Sequence, residues 1–307
     1  MEFLRPTTLA EALDAKAAHP GAVPIAGGTD VMVEINFDRA DGQRGKEQRG
    51  KEHRPEALLD LNRVRELFGH DVVDGRIRIA AATPYARIIA ELGERLPGLA
   101  MAARTVGSPQ IRNRGSVGGN LGAASPAGDS HPALLAAGAE VELASVRGTR
   151  RLPAEEFYTG VKRNVLAPDE LITAVHLAPA SGPQQFSKVG TRNAMVIAVC
   201  AFGLAVHPVE QRVRTGVGSA APTPRRALRA EEFLAGELAA EGQWERPRAL
   251  ADSVKGRFGE LVAGAAAPID DVRGSADYRR HALAVLARRT LTWAWTEYCE
   301  GRRSECA

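Results

Sequence analysis

The sequence predicts an α+β protein made of two domains. In residues 1–179, short apolar runs bounded by turn residues alternate with segments that have helical spacing, which indicates mixed strands and helices. The segment Ala180-Ser181-Gly182-Pro183 is typical of a linker, and the pattern after it predicts an antiparallel sheet and helices. Two glycine-rich segments also mark the first half of the chain. We therefore divide the chain into residues 1–179 and 180–307.

In the first domain, the pattern predicts helices at 8–18, with Thr7 or Thr8 as the cap, at 85–92 and at 130–138. Strands are predicted at 23–26, 58–61, 141–146 and 170–177, with a further strand after the turn at 148–151. A hairpin is predicted over 72–82, with its turn at Asp74-Gly75. Residues 31–37 are apolar but too few to separate helix from strand.

Residues 38–54 are a charged insertion in this domain. Arg-Gly-Lys-Glu occurs twice in it, and no apolar residue larger than Ala is present. Because such a segment can bury almost nothing, it predicts a mobile surface loop. An electrostatic docking arm for a partner is the functional alternative.

The second domain is predicted to hold three antiparallel strands, at 185–189, 197–206 and 213–217. Helices are predicted at 230–240, 249–264 and 277–299. The last helix carries Trp293, Trp295 and Tyr298, which we interpret as core or interface anchors.

Composition excludes several classes of protein. The net charge of +3 gives no reason to expect binding to nucleic acid or to an anionic membrane. The three cysteines form no Cys-x-x-Cys pair, which argues against a disulfide framework, a zinc site or an iron–sulfur cluster on this chain. The histidines lack metal-ligand spacing, and no nucleophile–base constellation can be assembled. With no signal peptide and no membrane span in the sequence, we expect a cytoplasmic protein.

The most informative feature is the segment 105–129, TVGSPQIRNRGSVGGNLGAASPAGD, which we predict to be one long loop and name the second glycine segment. Its six glycines leave backbone N–H groups open to a ligand, and successive N–H groups can hold an anion such as pyrophosphate. Ordering so many glycines has a large entropic cost, which a bound cofactor would offset. Polar groups suited to such a ligand are Ser116, Asn120, Ser125 and Asp129. Arg112 and Arg114 fit either pyrophosphate contacts or surface charges.

A shorter segment of the same kind follows the predicted strand at 23–26. It is the first glycine segment, with the sequence AGGTDV at 26–31. The two segments together predict a dinucleotide held between them. Neither the Rossmann nor the Walker glycine pattern is present. Lys188, an isolated lysine on a predicted strand, is by itself typical of a solvent-facing residue.

The chain resembles the flavin-binding (medium) subunit of the molybdenum hydroxylases, the family of xanthine dehydrogenase and aerobic carbon monoxide dehydrogenase. The resemblance covers nearly the whole chain and is based on AGGTD at 26–30, the second glycine segment, and KVGTR at 188–192 in this order. It implies a two-part FAD-binding domain of the vanillyl-alcohol-oxidase/p-cresol-methylhydroxylase type, followed by a family-specific C-terminal α+β domain.

The resemblance also implies cofactor contacts. In the family the first glycine segment binds the pyrophosphate and the second holds the rest of the flavin. Val106 stands where eukaryotic xanthine dehydrogenases place a Phe, which puts a stacking role there in doubt. Lys188 matches a family lysine near the flavin ring, where a cation would stabilise the anionic reduced form. The FAD-binding residues implied here are Ala26, Gly27, Gly28, Thr29, Asp30, Val31, Thr105, Val106, Ser116, Gly118, Gly119, Asn120, Ser125, Asp129, Ile172 and Lys188.

The implied function is electron transfer within a larger enzyme. Family members of this size work with a small subunit that carries [2Fe–2S] clusters and a large molybdopterin subunit, commonly as a dimer of heterotrimers. Electrons would pass from the clusters to FAD and on to NAD or another acceptor, while a substrate such as xanthine or hypoxanthine is hydroxylated at molybdenum. No residue of this chain need act as a general acid or base.

Two other functions stay open at this point. One is a self-sufficient flavoprotein oxidoreductase of the same superfamily, although the residues after 180 are few for a substrate domain. The other is an assembly or scaffold protein that has lost FAD, which the intact glycine segments disfavour. Affinity for FAD and the identity of co-purifying subunits separate the three.

Overall fold

The structure, a computed structural model, describes residues 1–41 and 55–305. The strands are β1 Glu2–Leu4, β2 Val23–Ile25, β3 Ala57–Asp60, β4 His70–Val73, β5 Arg76–Ala80, β6 Glu140–Ser145, β7 Gly148–Pro153, β8 Tyr158–Gly160, β9 Arg163–Asn164, β10 Leu171–Leu177, β11 Gln184–Val189, β12 Cys200–His207 and β13 Arg212–Gly218. The helices are α1 Leu9–Ala18, α2 Val31–Asp41, α3 Tyr85–Glu91, α4 Pro97–Thr105, α5 Pro109–Arg112, α6 Val117–Ala123, α7 Ser130–Ala136, α8 Ala154–Phe157, α9 Leu228–Ala240, α10 Asp252–Ala265 and α11 Ala276–Glu305, with a 3-10 turn at Arg65–Leu67.

Most predicted elements lie where the pattern placed them. Thr8 caps α1 by accepting a hydrogen bond from the Glu11 N–H at 3.2 Å. The undecided segment at 31–37 is helical and belongs to α2. That helix continues to Asp41, so the first residues of the charged insertion are helical rather than a loop. The rest of that insertion, 42–54, lies outside the described residues.

In the described residues, the strands form three sheets and a short hairpin. β1, β3 and β2 form a parallel sheet in that order, and β4, β5, β10, β6 and β7 form an antiparallel one. β11, β12 and β13 make the antiparallel sheet predicted after the linker, and β8 pairs with β9.

Each of the two larger antiparallel sheets buries one core. The five-stranded sheet packs residues such as Ile77, Val141 and Val175 against α3, α4 and α6. The antiparallel sheet of β11, β12 and β13, named here the second sheet, packs Phe202 and Val217 against α9, α10 and α11. In that core Trp295 and Tyr298 are buried beside Trp244, as anchors of the core. Trp293, by contrast, is 51% exposed.

Helix α7 follows the second glycine segment directly in the sequence and packs against the second sheet. Three glycines, which we name the glycine trough, face Pro132 of α7: Gly203 on β12, and Gly216 and Gly218 on β13. A Cβ at Gly216 would lie 2.1 Å from the Pro132 carbonyl oxygen, and one at Gly203 would lie 2.6 Å from it. The close approach therefore requires glycine and fixes α7 on the second sheet.

We predict that Gly216→Ala destabilises the protein, because its Cβ would overlap the Pro132 backbone. Overpacking of this kind costs roughly 1–3 kcal/mol, which thermal unfolding would register as a lower Tm. Gly236→Ala on α9 is the matched control, since a Cβ there meets no heavy atom within 4 Å. That control should leave Tm unchanged or raise it, because Ala is the better helix former. A wild-type Tm for Gly216→Ala would contradict the contact.

Candidate functional site: two facing glycine segments

The first glycine segment connects β2 to α2 through a tight turn. Gly28 has a φ of +70°, a backbone conformation that favours glycine. The Asn62 side-chain amide donates to the Ala26 carbonyl at 2.8 Å and holds the start of the turn. The Asp30 carbonyl accepts a hydrogen bond from the Glu34 N–H at 3.0 Å, which continues α2 from this turn.

The two glycine segments are in direct backbone contact. A Cβ on Gly27 would lie 2.0 Å from the Arg114 carbonyl oxygen and 3.0 Å from the Gly115 nitrogen. Thr29 lies beside the same point, because a Cβ on Gly115 would be 3.5 Å from its Oγ1. The absence of a side chain at Gly27 lets the two backbones meet, so the two glycine segments are neighbours in the fold.

The prediction of a continuous loop over 105–129 is wrong. The segment contains the end of α4 and the short helices α5 and α6, which begin after the caps Ser108 and Ser116. The Ser116 hydroxyl accepts from the Gly119 N–H at 3.1 Å. Arg112 donates to the carbonyls of Val106 and Gly107 at 3.1 and 3.0 Å, so it braces this segment. Hydrogen bonds of this local kind favour turns and caps over extended chain.

Two adjacent glycines on α6 have different surroundings. Gly118 is buried, and its N–H donates to the Ala81 carbonyl at 2.9 Å. A Cβ there would lie 2.5 Å from the Ala81 Cβ, so packing alone accounts for that glycine. Gly119 is exposed, and a Cβ there would meet only the Ser116 Oγ, at 3.2 Å. Space in front of Gly119 is therefore open to a ligand.

A chain of hydroxyl and amide groups runs beneath α6. The Tyr85 hydroxyl donates to the Ser130 Oγ at 3.0 Å, and that hydroxyl donates to the Asn120 Oδ1 at 2.7 Å. Burial raises the pKa of Tyr85, so its phenol keeps its proton. The network orients the Asn120 amide from below. Sequence reasoning missed Tyr85, Ser130 and Asn62, since a single Tyr, Ser or Asn carries no spacing signal.

A buried ion pair lies at the end of the second glycine segment. The Lys188 ammonium on β11 donates to Asp129 Oδ2 at 2.6 Å and to the Thr105 carbonyl at 3.3 Å. Burial raises the pKa of Asp129, and the nearby Lys188 opposes that rise. Lys188 is therefore not the solvent-facing lysine that its strand pattern alone indicates. The pair joins the second glycine segment to the sheet of the second domain.

The other predicted residues lie around these contacts. Ile172 on β10 is nearly buried, and its Cδ1 would be 3.7 Å from a Cβ on Gly122. The Ser125 hydroxyl accepts from the Ala127 N–H at 3.3 Å and so shapes its own turn. Val106 packs on the core of the five-stranded sheet, and Val31 begins α2.

The described residues fit a hydroxyl-bearing dinucleotide. Asp129 Oδ1 is buried and has no hydrogen-bond donor among them. A buried carboxylate oxygen costs free energy unless a donor reaches it, and a ligand hydroxyl is such a donor. The open backbone at Gly119 and the facing glycines complete a cradle that side chains would fill. The two neighbouring glycine segments therefore offer the open backbone and the polar groups that a dinucleotide would need.

Comparison with known proteins identifies the class. The family described as FAD binding domain in molybdopterin dehydrogenase matches residues 1–180, and the CO dehydrogenase flavoprotein C-terminal domain matches residues 185–294. The chain belongs to this family: it is an oxidoreductase subunit that carries FAD. The predicted fold, an FAD-binding domain followed by a C-terminal α+β domain, is confirmed.

Individual relatives agree with this assignment. A nicotinate dehydrogenase FAD-subunit of Eubacterium barkeri is 34% identical over 248 residues, covering 76% of this chain and 79% of its own. A putative xanthine dehydrogenase FAD-binding subunit of Escherichia coli is 30% identical and covers 95% of both chains. Among solved structures, carbon monoxide dehydrogenase from Hydrogenophaga pseudoflava superposes with a TM-score of 0.83 at 25% identity, covering 97% of this chain and 98% of its own.

Within residues 1–41 and 55–305, no three His, Cys, Asp or Glu side chains are grouped so as to hold a metal ion. None of the helices in that part of the chain combines the length and apolar character that a membrane crossing needs.

We predict that Gly119→Val abolishes FAD retention without unfolding the protein. The branched side chain would fill the open space before α6, while only the Ser116 Oγ lies close to the new Cβ. Visible absorbance gives the ratio of FAD to protein after purification. Gly256→Val on α10 is the control, because a Cβ there meets no heavy atom within 4 Å. A fully yellow Gly119→Val protein would contradict the role of this backbone.

Proposed function

We propose that this chain is the electron-transfer subunit of a molybdenum hydroxylase. It would take electrons from iron–sulfur clusters of a small subunit and pass them to NAD or another acceptor. Substrate hydroxylation would occur on a separate molybdopterin subunit, with a purine such as xanthine as the favoured substrate class. The observation that carries the proposal is the Lys188–Asp129 pair, which places a cation at the edge of the glycine segments.

Two groups of residues would hold FAD. The first glycine segment, Ala26 to Val31, would bind the pyrophosphate through backbone N–H groups. In the second glycine segment, Ser116, Gly119, Asn120 and Asp129 would contact the rest of the molecule. Thr105, Val106, Ser125 and Ile172 would shape its walls, while Gly118 would act only by packing α6 on Ala81. When bound, FAD supplies the exchange between one-electron donors and two-electron acceptors.

Lys188 would tune this chemistry by its charge. Its ammonium is nearly buried and hydrogen-bonded to Asp129, so it keeps a fixed position. A fixed cation in a poorly solvated site favours the state of a neighbouring group that has gained negative charge. We therefore expect Lys188 to stabilise the reduced form of the cofactor. No proton transfer by this chain is needed.

The assembly is also a proposal. Relatives named as medium chains or subunits occur in a carbon monoxide dehydrogenase and a nicotine 6-hydroxylase. We propose a dimer of heterotrimers in the cytoplasm, and a boundary between two domains of this chain near residue 180. The core of the second sheet draws on residues from Cys200 onward, which supports that boundary.

Purification of the tagged chain from cells that also produce its partners tests the proposed function. FAD together with an iron–sulfur subunit and a molybdopterin subunit in one complex is the expected result. Substrate-dependent NAD reduction by that complex would establish the acceptor. An FAD protein that oxidises substrate alone would favour the self-sufficient oxidoreductase. A complex without FAD would favour a scaffold.

We predict that Lys188→Met lowers the midpoint reduction potential of the bound FAD. Loss of the cation should lower it by roughly 30 mV or more, a tenfold change for a two-electron couple. Lys188→Arg should stay closer to wild type. The double variant Lys188→Met/Asp129→Asn avoids an unpaired buried carboxylate and controls for folding. Redox titration gives the potentials, and an unchanged potential in Lys188→Met would contradict the role.

A further inference from the structure

His131 is a fully buried histidine directly beneath the second glycine segment. It lies in the first turn of α7, with a side-chain exposure of 0%. Its Nδ1 is 2.8 Å from the Tyr158 hydroxyl, and the two rings meet edge to face with centroids 4.9 Å apart. The implied cofactor contacts do not include either residue.

The surroundings of His131 set both the charge and the tautomer of its imidazole ring. Burial lowers the pKa of His131 to about 3, so the ring is neutral at physiological pH. Burial also raises the pKa of Tyr158, whose hydroxyl therefore keeps its proton and can donate to Nδ1. With Nδ1 as acceptor, the hydrogen-bond network assigns the proton of the imidazole to Nε2.

The Nε2 side of the ring faces the glycine segment. A Cβ on Gly128 would lie 2.2 Å from Nε2, so the backbone at Gly128 packs directly on the ring. Gly128 in turn donates to the Ser125 carbonyl at 3.0 Å and closes the turn that precedes Asp129. The position of the imidazole thus limits where this turn can lie.

Nε2 makes no hydrogen bond of normal geometry among the described residues, although the Ser125 backbone is near enough to oppose the fall in the pKa of His131. An unpaired buried donor destabilises a folded protein, and an apolar side chain of similar size would avoid that cost. The same turn carries Asp129, whose Oδ1 is the other unpaired buried atom here. Two such atoms flank one turn of a cofactor-binding segment, which is the pattern expected where stability is given up for function.

We propose that His131 is a positioning residue for FAD, held in its tautomer by Tyr158, and that it restrains the turn at 125–128 through the packing of its ring on Gly128 and through Nε2–H, which faces the Ser125 backbone. It acts through the backbone and does not touch the cofactor. The inference rests on FAD binding by the glycine segments. It adds a residue of α7 that holds the turn at 125–128 of the second glycine segment in place.

Titration of the wild-type apoprotein and its variants with FAD tests this role. His131→Leu should raise the Kd for FAD about tenfold or more, the factor that one ordinary hydrogen bond contributes. Its apoprotein should keep or exceed the wild-type Tm, because the unpaired donor is gone. His131→Gln, which retains an N–H donor, should recover part of the affinity. Tyr158→Phe, a milder change, should weaken binding to a smaller extent.

His207→Leu is the matched control. His207 is another largely buried histidine that contacts α7, with its Nε2 3.3 Å from the Ala136 carbonyl at the far end of the helix. Its replacement should change the Kd for FAD less than twofold. A His131→Leu protein with wild-type affinity would overturn the proposal. A His131→Leu protein with a lower Tm, whose FAD binding falls only by the fraction of protein that is unfolded, would also overturn it. Failure of the wild-type chain to bind FAD would instead overturn the cofactor assignment, and this role with it.

Discussion

Pro132 of α7 packs in the glycine trough of the second sheet, and the position of the proposed cofactor site depends on this contact. The second glycine segment ends at Asp129, so anchoring α7 anchors that end of the segment. At its other side the segment meets Gly27 backbone to backbone. The site is therefore held from both domains, and neither glycine segment is positioned by its own sequence alone.

The electrostatics follow from the same arrangement. Because α7 and β11 are packed together, Lys188 reaches Asp129 across the boundary between the two family matches. A buried ion pair contributes little net stability once desolvation is counted, so its value lies in fixing charge and orientation. In this protein the pair fixes the Lys188 ammonium beside the second glycine segment. Structure and proposed electron transfer are linked at this one contact.

Sequence reasoning predicted the elements with strong periodicity and the two glycine segments. It did not predict α5 and α6, because glycine-rich stretches have low helix propensity and these turns depend on the caps Ser108 and Ser116. It could not derive the burial of Lys188 either, since its partner is 59 positions away. Only the family resemblance indicated that lysine. The glycine trough was missed for the same reason: close approach is a tertiary property.

Amide hydrogen exchange of the whole protein, with and without FAD, tests most directly the claim that both domains build the site. The account predicts slower exchange on FAD addition in 26–31 and 105–129, and also in β11 around Lys188 and at the end of β13. Protection confined to the first two segments would show a site that is complete without the second domain. That result would contradict the central role given to the contact between α7 and the glycine trough.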